Sequence, residues 1–477
     1  MTLLSERAWA ALAQQSPPLL AMWAEPAIVH AAFWHERAVL LQSCATPEGR
    51  FASLSALHPA AAWFERAIHD LWGLEAVGSI DGRPWLDHGR WPILNPMSAR
   101  PVRHGAAPPQ PEFLAALGEG VHQIAVGPVH AGIIEPGHFR FHVVGETLVR
   151  LETRLGYTHK GTLSLMLGKS PRAAARFPAR LSGDSTVAHS LAFALAAEQV
   201  SGGTAPPRAI ALRAAMAELE RVANHLNDWG FICSDAAFPA VHARTGALRE
   251  ALLRACNAAF GHRLMMDRIL PGGLATDIEP GGVAVLADAI AMITAEIPAL
   301  ERITQSHASL QDRLVATGII TPELVALLNA GGVVGRASGR AFDARATPGY
   351  APYDELDVQP VTRDAGDVAA RLAVRVGEIH ESLRMLRIIL ANIPDGPILT
   401  PLPPHQGGEG VALVEGFRGE CLCWLRLDDG GLIQGAFLRD PSWLHWPLLE
   451  AAVQGNILAD FPLINKSING SYSGVDL

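Results

Sequence analysis

The chain has only five cysteines among 477 residues, and no two of them are spaced as Cys-x-x-Cys. Cys44, Cys233, Cys256, Cys421 and Cys423 therefore supply neither a four-thiolate zinc or iron–sulfur site nor the dense, evenly numbered set of a secreted disulfide framework. Positive charge is also in short supply. Lys and Arg number 38 against 47 Asp and Glu, a net charge of −9. A phosphate-binding surface needs a basic excess, so nucleic acid is not expected as the main partner. The first residues, MTLLSERAWAALAQQ, have no basic segment followed by a long apolar one, and no signal peptide is expected. The most apolar run, Val283 to Leu300, contains Asp288 and Glu296. A bilayer span needs about 20 apolar residues, so this run is expected to be a buried helix. No GxGxxG fingerprint follows a predicted strand, and no dinucleotide site is expected here.

What is present is a globular composition: 49% hydrophobic and 18% charged, enough for a large core and two or three domains. Proline and glycine cluster in PVRHGAAPPQP, Pro101 to Pro111, which cannot continue a helix or a central strand. The expected division is a domain over 1–100, a Pro-rich linker over 101–119 and a larger domain over 120–477. In the larger one, Phe139 to Arg154 alternates across a turn near Gly145 and predicts a hairpin. Asp184 or Ser185 can cap a helix to about Val200, and a second helix runs from Pro207 to about Trp229, stopped by Gly230. Leu212, Met216, Leu219, Val222 and Leu226 make one apolar stripe along that second helix. A third helix spans about Asp367 to Ala391, and β-rich runs around a DDGG turn close the chain. The expected fold class is α+β: a mainly helical body with small terminal sheets, plus a small N-terminal α/β domain.

Chemical motifs are sparse. Gly161 to Ser170 ends in GKS, but six residues separate its first glycine from GK and Pro171 follows, which excludes the phosphate-cradling turn. Glu135-Pro-Gly-His138 could relay protons or could be an exposed polar turn. Arg221, His225 and Asp228 share one helix face, either a buried polar network or, as such rows more often are, a solvated face. Cys421 and Cys423 fall on one face of a strand and read as small buried residues. Two serine-bearing fragments, RLSGDSTVAHS (180–190) and RDPSWLHW (439–446), have the look of binding loops without a nucleophile's partners.

Longer segments carry a resemblance. GPVH (127–130), EPGHFRFHVVGETLVRLETRLGYTHKG, VAHSLAFALAAEQ, MAELERVANHLNDWGFICSDAAF and GRASGRAFDARATPGYAPYDEL resemble, in order, the large subunit of energy-converting nickel–iron hydrogenases of the formate hydrogenlyase type. They also resemble the homologous quinone-site subunit of respiratory complex I. WFERAIHDLWG (63–73) with DGRP (81–84) is similar to a complex I accessory subunit, fused here at the N-terminus.

By that resemblance, the four cysteines that hold nickel and iron in the hydrogenases match Ser182, Ser185, Ser442 and His445. Thiolates are soft, ionised donors, whereas serine hydroxyls are hard and stay protonated near neutrality. No metal centre on this chain is therefore expected, nor the C-terminal trimming tied to it. In complex I the vacated cavity takes a quinone headgroup. Its tyrosine donor matches Gly183, its aspartate matches Asp235, and its histidine falls within the loop from His130 to His138. The proton-gating glutamate of the hydrogenases matches Glu135. The resemblance implies an oxidoreductase subunit peripheral to the cytoplasmic side of the inner membrane. Its partners would be an iron–sulfur small subunit, whose cluster supplies electrons, and antiporter-like membrane subunits. Glu135, His138, Asp235 and His130 are the candidate proton or quinone residues. The alternative is a non-catalytic scaffold or coupling subunit holding the iron–sulfur partner.

Overall fold

Alternating apolar residues make strands at both ends of the chain, and apolar residues at helical spacing fill the middle. The computed structural model describes residues 2–12, 17–103, 112–130, 134–403 and 407–477. Near the N-terminus, β1 (Thr2–Leu4), β2 (Leu19–Glu25), β3 (Ile28–His35) and β4 (Ala38–Ala45) form one sheet in the order β1-β4-β3-β2. Only the β1–β4 pairing in that sheet is parallel. The helix α1 (Ala61–Trp72) packs on β2 and ends at Gly73, whose φ of 73° is the left-handed cap that glycine adopts without strain.

The predicted hairpin is β6 (His138–Val144) and β7 (Thr147–Arg154), joined by a third strand, β5 (Val121–Val126), that the sequence did not signal. The helical body follows: α2 (Thr186–Ser201), α3 (Pro207–Asp235), α4 (Pro239–Phe260), α5 (Gly282–Ser306), α6 (Gly332–Ala337) and α7 (Val368–Ala391). The chain then forms an antiparallel sheet, β8 (Gly408–Glu415), β9 (Glu420–Leu427) and β10 (Ile433–Arg439), and two further helices, α8 (Ser442–Ala452) and α9 (Phe461–Ile468). The class is α+β, as the residues imply.

Tertiary packing overrides several local expectations. Gly230 does not stop α3, which continues to Asp235. A Cβ there would lie 2.3 Å from Thr245 Oγ1 and 2.9 Å from His242 Cα, so glycine is what lets α4 approach. Neither Asp184 nor Ser185 caps α2 through its side chain. The Glu220 carboxylate of α3 does so instead, accepting from Val187 N at 2.7 Å and Ala188 N at 3.1 Å. The face bearing Arg221, His225 and Asp228 is buried, not solvated. The apolar helix α5 buries only one stripe (Leu286, Ile290, Ile293, Ile297 and Leu300), while Val285 and Met292 are 42% and 49% exposed. The expectation of a fully buried helix is corrected on that point.

The N-terminal layer does not stand apart from the body. Trp23 stacks on Phe437 at 5.1 Å and meets Trp424 at 5.2 Å, and Glu25 accepts from Arg426 at 2.6 Å. Phe64 of α1 stacks on Trp443 of α8 at 4.9 Å. Most of the Pro-rich segment, 104–111, lies outside the described residues. Just after it, Phe113 lies under the guanidiniums of Arg140 and Arg154, and Leu114 N donates to Glu152 at 2.8 Å. That end of the segment is laid on the β6–β7 hairpin.

Candidate functional site

Ser182 and Ser185 lie where short turns lead into α2, and both are buried. Ser182 Oγ donates to Asp184 Oδ1 at 2.9 Å and lies 2.8 Å from Ser471 Oγ. Ser471 N in turn donates to Ser442 Oγ at 2.8 Å. Over this cluster sits Arg418, from the loop between β8 and β9. Its guanidinium donates to Ser185 Oγ at 3.0 Å, to the two Asp184 oxygens at 2.7 and 2.6 Å, and to Asn469 O at 2.5 Å. Desolvation opposes ionisation of Asp184, but Arg418 and the Ser182 hydroxyl outweigh it and hold the carboxyl below its usual range.

His445 does not join this cluster. It is one turn into α8, with Nε2 3.3 Å from the Gly331 carbonyl, and burial pushes it down to about 4, Glu420 opposing. Ser471, not singled out by the sequence, stands beside Ser182. The only signal of that residue in the sequence is the serine-rich, non-periodic run Ser471-Tyr-Ser-Gly474. Beneath Ser442, the donor atoms of His189, Cys421 and Asp440 lie within 4.8 Å of one another. His189 Nε2 is 2.9 Å from Asp440 Oδ2 and 4.0 Å from Cys421 Sγ. One nitrogen faces both groups, so this is no nucleophile relay, which needs a separate ring nitrogen for each. Burial also pushes the Cys421 thiol well above its ordinary value. The trio reads as a buried hydrogen bond with a neutral thiol beside it.

Next to the serine cluster, a cavity of about 620 Å³ opens between the β5–β6 edge, the end of α3 and α9. His130, Asp235, Asn227, Lys466, Phe461 and Tyr472 are among its lining residues. His130 stands edge-on to Phe139, and its Nε2 is buried with no hydrogen-bond partner among the described residues. Burial lowers its pKa, favouring neutral imidazole. Asp235 ends α3. Burial raises its carboxyl, with Lys466 and His242 opposing. Lys466 Nζ lies 3.5 Å from Asp228 Oδ1 behind the wall.

Glu135 is exposed and accepts from Ser473 N at 2.9 Å, beside Tyr472 at the cavity's edge. His138 is elsewhere: it is buried in β6, lies against Phe113 at 4.6 Å, and is held below its usual pKa by burial and by Arg140. No hydrogen bond joins Glu135 to His138 among the described residues. A second cavity of about 560 Å³, between α5 and α7, contains none of the expected residues; its rim carries the His380–Glu301 pair at 2.9 Å.

Comparison with known proteins identifies the family. Residues 239–406 match the model of the 49 Kd subunit of respiratory-chain NADH dehydrogenase, and residues 27–104 match that of its 30 Kd subunit. Formate hydrogenlyase subunit 5 of Escherichia coli is 30% identical over 438 residues, 89% of this chain and 77% of that protein. This chain belongs to that hydrogenase and complex I subunit family. Hydrogenase-4 component G of Escherichia coli is 31% identical over 441 residues, 89% of this chain and 76% of that protein. An NADH-quinone oxidoreductase subunit of Roseiflexus is 29% identical over 368 residues, 74% of this chain and 98% of that protein.

The hydrogenase members' nickel–iron centre does not fit the residues present. The hydroxyls of Ser182, Ser442 and Ser471 are occupied with one another and with backbone, Ser185 accepts from Arg418, and a guanidinium cation lies against the cluster. Hard, protonated donors beside a fixed positive charge are the opposite of a thiolate cage. Gly183, at the position of the complex I tyrosine, is exposed and has open space where a Cβ would stand. The family's aspartate position, Asp235, does reach the cavity, together with His130.

Proposed function

We propose that this chain is the large, non-nickel subunit of a membrane-associated oxidoreductase complex related to hydrogenases and complex I. Its role is to hold an electron acceptor of the quinone class in the 620 Å³ cavity. The observation that carries the reading is that His130 and Asp235 line one cavity together with Phe461 and Tyr472. Bound there, a quinone would supply the two-electron, two-proton chemistry, with electrons from the cluster of an iron–sulfur partner subunit. This chain's residues bind, orient and protonate. The aromatic and aliphatic walls exclude water from the ring. His130, pushed toward the neutral form by burial and with a buried nitrogen that has no partner among the described residues, can face one carbonyl oxygen. Asp235, its carboxyl raised by burial with Lys466 and His242 opposing, is placed to exchange a proton with the bound acceptor. Glu135, exposed at the rim, connects that edge to solvent. The related names place such subunits in formate hydrogenlyase, hydrogenase-4 and NADH-quinone oxidoreductase. This reading accordingly puts the chain on the cytoplasmic side of the inner membrane, against the iron–sulfur subunit and antiporter-like membrane subunits.

Quinone reduction by the purified complex tests this. Asp235→Asn and Glu135→Gln are expected to lower the rate at least tenfold without loss of partner subunits, and wild-type rates in both variants would reject the assignment. The second reading, a scaffold that holds the iron–sulfur partner without chemistry of its own, is favoured by the Arg418–Asp184 pair that fills the emptied metal position. It predicts normal assembly and no quinone turnover in the wild-type complex.

A further inference from the structure

Behind the cavity, the polar face of α3 runs into a closed ionic cluster. Glu218, Arg221, His225, Arg336, Asp343, Arg345, Glu378 and Glu415 are each at most 1% exposed. Arg336 joins α6 to its neighbours: Nε donates to Glu378 Oε1 and Nη1 to Glu415 Oε1, both at 2.8 Å. Arg345 donates to Asp343 at 2.7 Å and to Glu218 at 3.0 Å. Arg221 donates to Glu218 at 3.3 Å and to the Glu415 and Gly416 carbonyls. His225 Nε2 lies 2.8 Å from Glu378 Oε2.

The charges of this cluster do not cancel. The acids are Glu218, Asp343, Glu378 and Glu415; the permanent cations are Arg221, Arg336 and Arg345. Within these eight residues four acids face three permanent cations, so the excess negative charge is offset only by cations on the flanks, and the carboxylate with the fewest donors is the one that most readily takes a proton. Glu218 is a poor place for it, because it already accepts from Arg345, Arg221, Tyr353 and Ser382. Asp343 is gripped by two nitrogens of Arg345, and Glu378 by Arg336 and His225. Two places remain. Glu415 has one guanidinium contact and one backbone donor, Ala344 N at 2.9 Å. His225 can carry a proton toward Glu378.

The flanking charges face these two sites as follows. Arg375 pairs with Asp228 at 3.0 Å on the His225 side, with Lys466 beyond. Glu420 lies on the Glu415 side, 3.7 Å from Arg439 and 3.9 Å from Arg340. Burial pushes Glu415 up to about 7, with Asp343 and Glu420 adding to the rise and Arg336 and Arg221 opposing it. Burial lowers His225, and Glu378 opposes that.

We propose that this cluster is a binding site for a single proton, carried by Glu415 in one form and by His225 in the other, with Glu378 and Arg336 fixed between them. Arg336 stays charged throughout; what links the two sites is its field and that of Glu378, not proton hopping through a guanidinium. The site lies close to the cavity: His225 is three residues from Asp228, which touches Lys466 and Asn469 on the cavity wall. It is a proton store within electrostatic reach of whatever reacts there. The inference concerns proton binding alone and stands whether or not the cavity takes a quinone.

Infrared difference spectroscopy of the purified protein, titrated from alkaline to mildly acid pH, reads protonated carboxyl groups directly. A carboxyl band with a midpoint near neutrality is expected in the wild type and is expected to be lost in Glu415→Gln. Glu220→Gln, which removes another buried, raised carboxyl, is expected to leave that band in place. In His225→Gln the proton has only Glu415 left, so the band is expected to strengthen and its midpoint to move alkaline. A Glu415→Gln spectrum with every titrating carboxyl band of the wild type would overturn the proposal. So would a band that neither grows nor shifts in His225→Gln, a variant that keeps Glu415 and the whole arginine set.

Discussion

At the scale of single residues, the protein shows how one change of donor chemistry remakes a site. Where a thiolate cage would hold cations, this chain has hydroxyls and brings its own cation, Arg418. Arg418→Gln leaves Asp184 without its guanidinium. Asp184 keeps 39% side-chain exposure, so water takes over part of the interaction, and a loss of about 1–3 kcal/mol is expected in denaturant unfolding. Nickel in the purified complex is expected to be far below one atom per chain, by elemental analysis.

His445, 1% exposed and pushed down to about 4, gives a pH signature. Its folded value lies below the unfolded one near 6.5, so the unfolded chain binds the proton first as pH falls. Its contribution is complete above about 6.5 and is lost as pH falls to about 4, a total of about 3 kcal/mol at 1.4 kcal/mol per pH unit. His445→Gln is expected to flatten that slope in stability measured against pH.

At the scale of elements, the helices were readable because their apolar spacing is local, while their ends were set by neighbours. The stripe along α3 and the span of α7 follow from the sequence; the passage of α3 through Gly230 follows from α4. Gly230→Ala places a methyl group 2.3 Å from Thr245 Oγ1 and is expected to cost about 1–3 kcal/mol in unfolding free energy, although alanine is the better helix former. The two faces of α5 separate in the same way. Ile293→Ala on the buried stripe is expected to cost about 2–5 kcal/mol, whereas Met292→Gln on the exposed face is expected to stay within about 0.5 kcal/mol. Equal losses at both positions would mean that the outer face of α5 is covered.

At the scale of the whole molecule, the N-terminal layer and the helical body share one core. Trp443 is enclosed by Phe64 and Trp85, at 4.9 and 5.6 Å. Trp443→Ala is expected to destabilise the protein by about 3–5 kcal/mol and to shift near-ultraviolet dichroism from both regions together in one thermal transition. Two separated transitions in the wild type would show that the layers fold independently.

The residues alone determined the fold class, the main helices and the hairpin, because periodicity is a property of short stretches, while the loss of soft metal ligands followed from the resemblance. Segment order and motif likeness also led to Asp235 and to the loop carrying His130. Three matters were decided only in three dimensions: that His130 and not His138 lines the cavity with Asp235, that Ser182 meets Ser471, and that the Arg221–His225–Asp228 face is buried. Each depends on contacts between segments far apart in the chain, such as 182 with 471 or 225 with 378. No local pattern encodes those contacts, because they arise only when separate apolar faces are buried together.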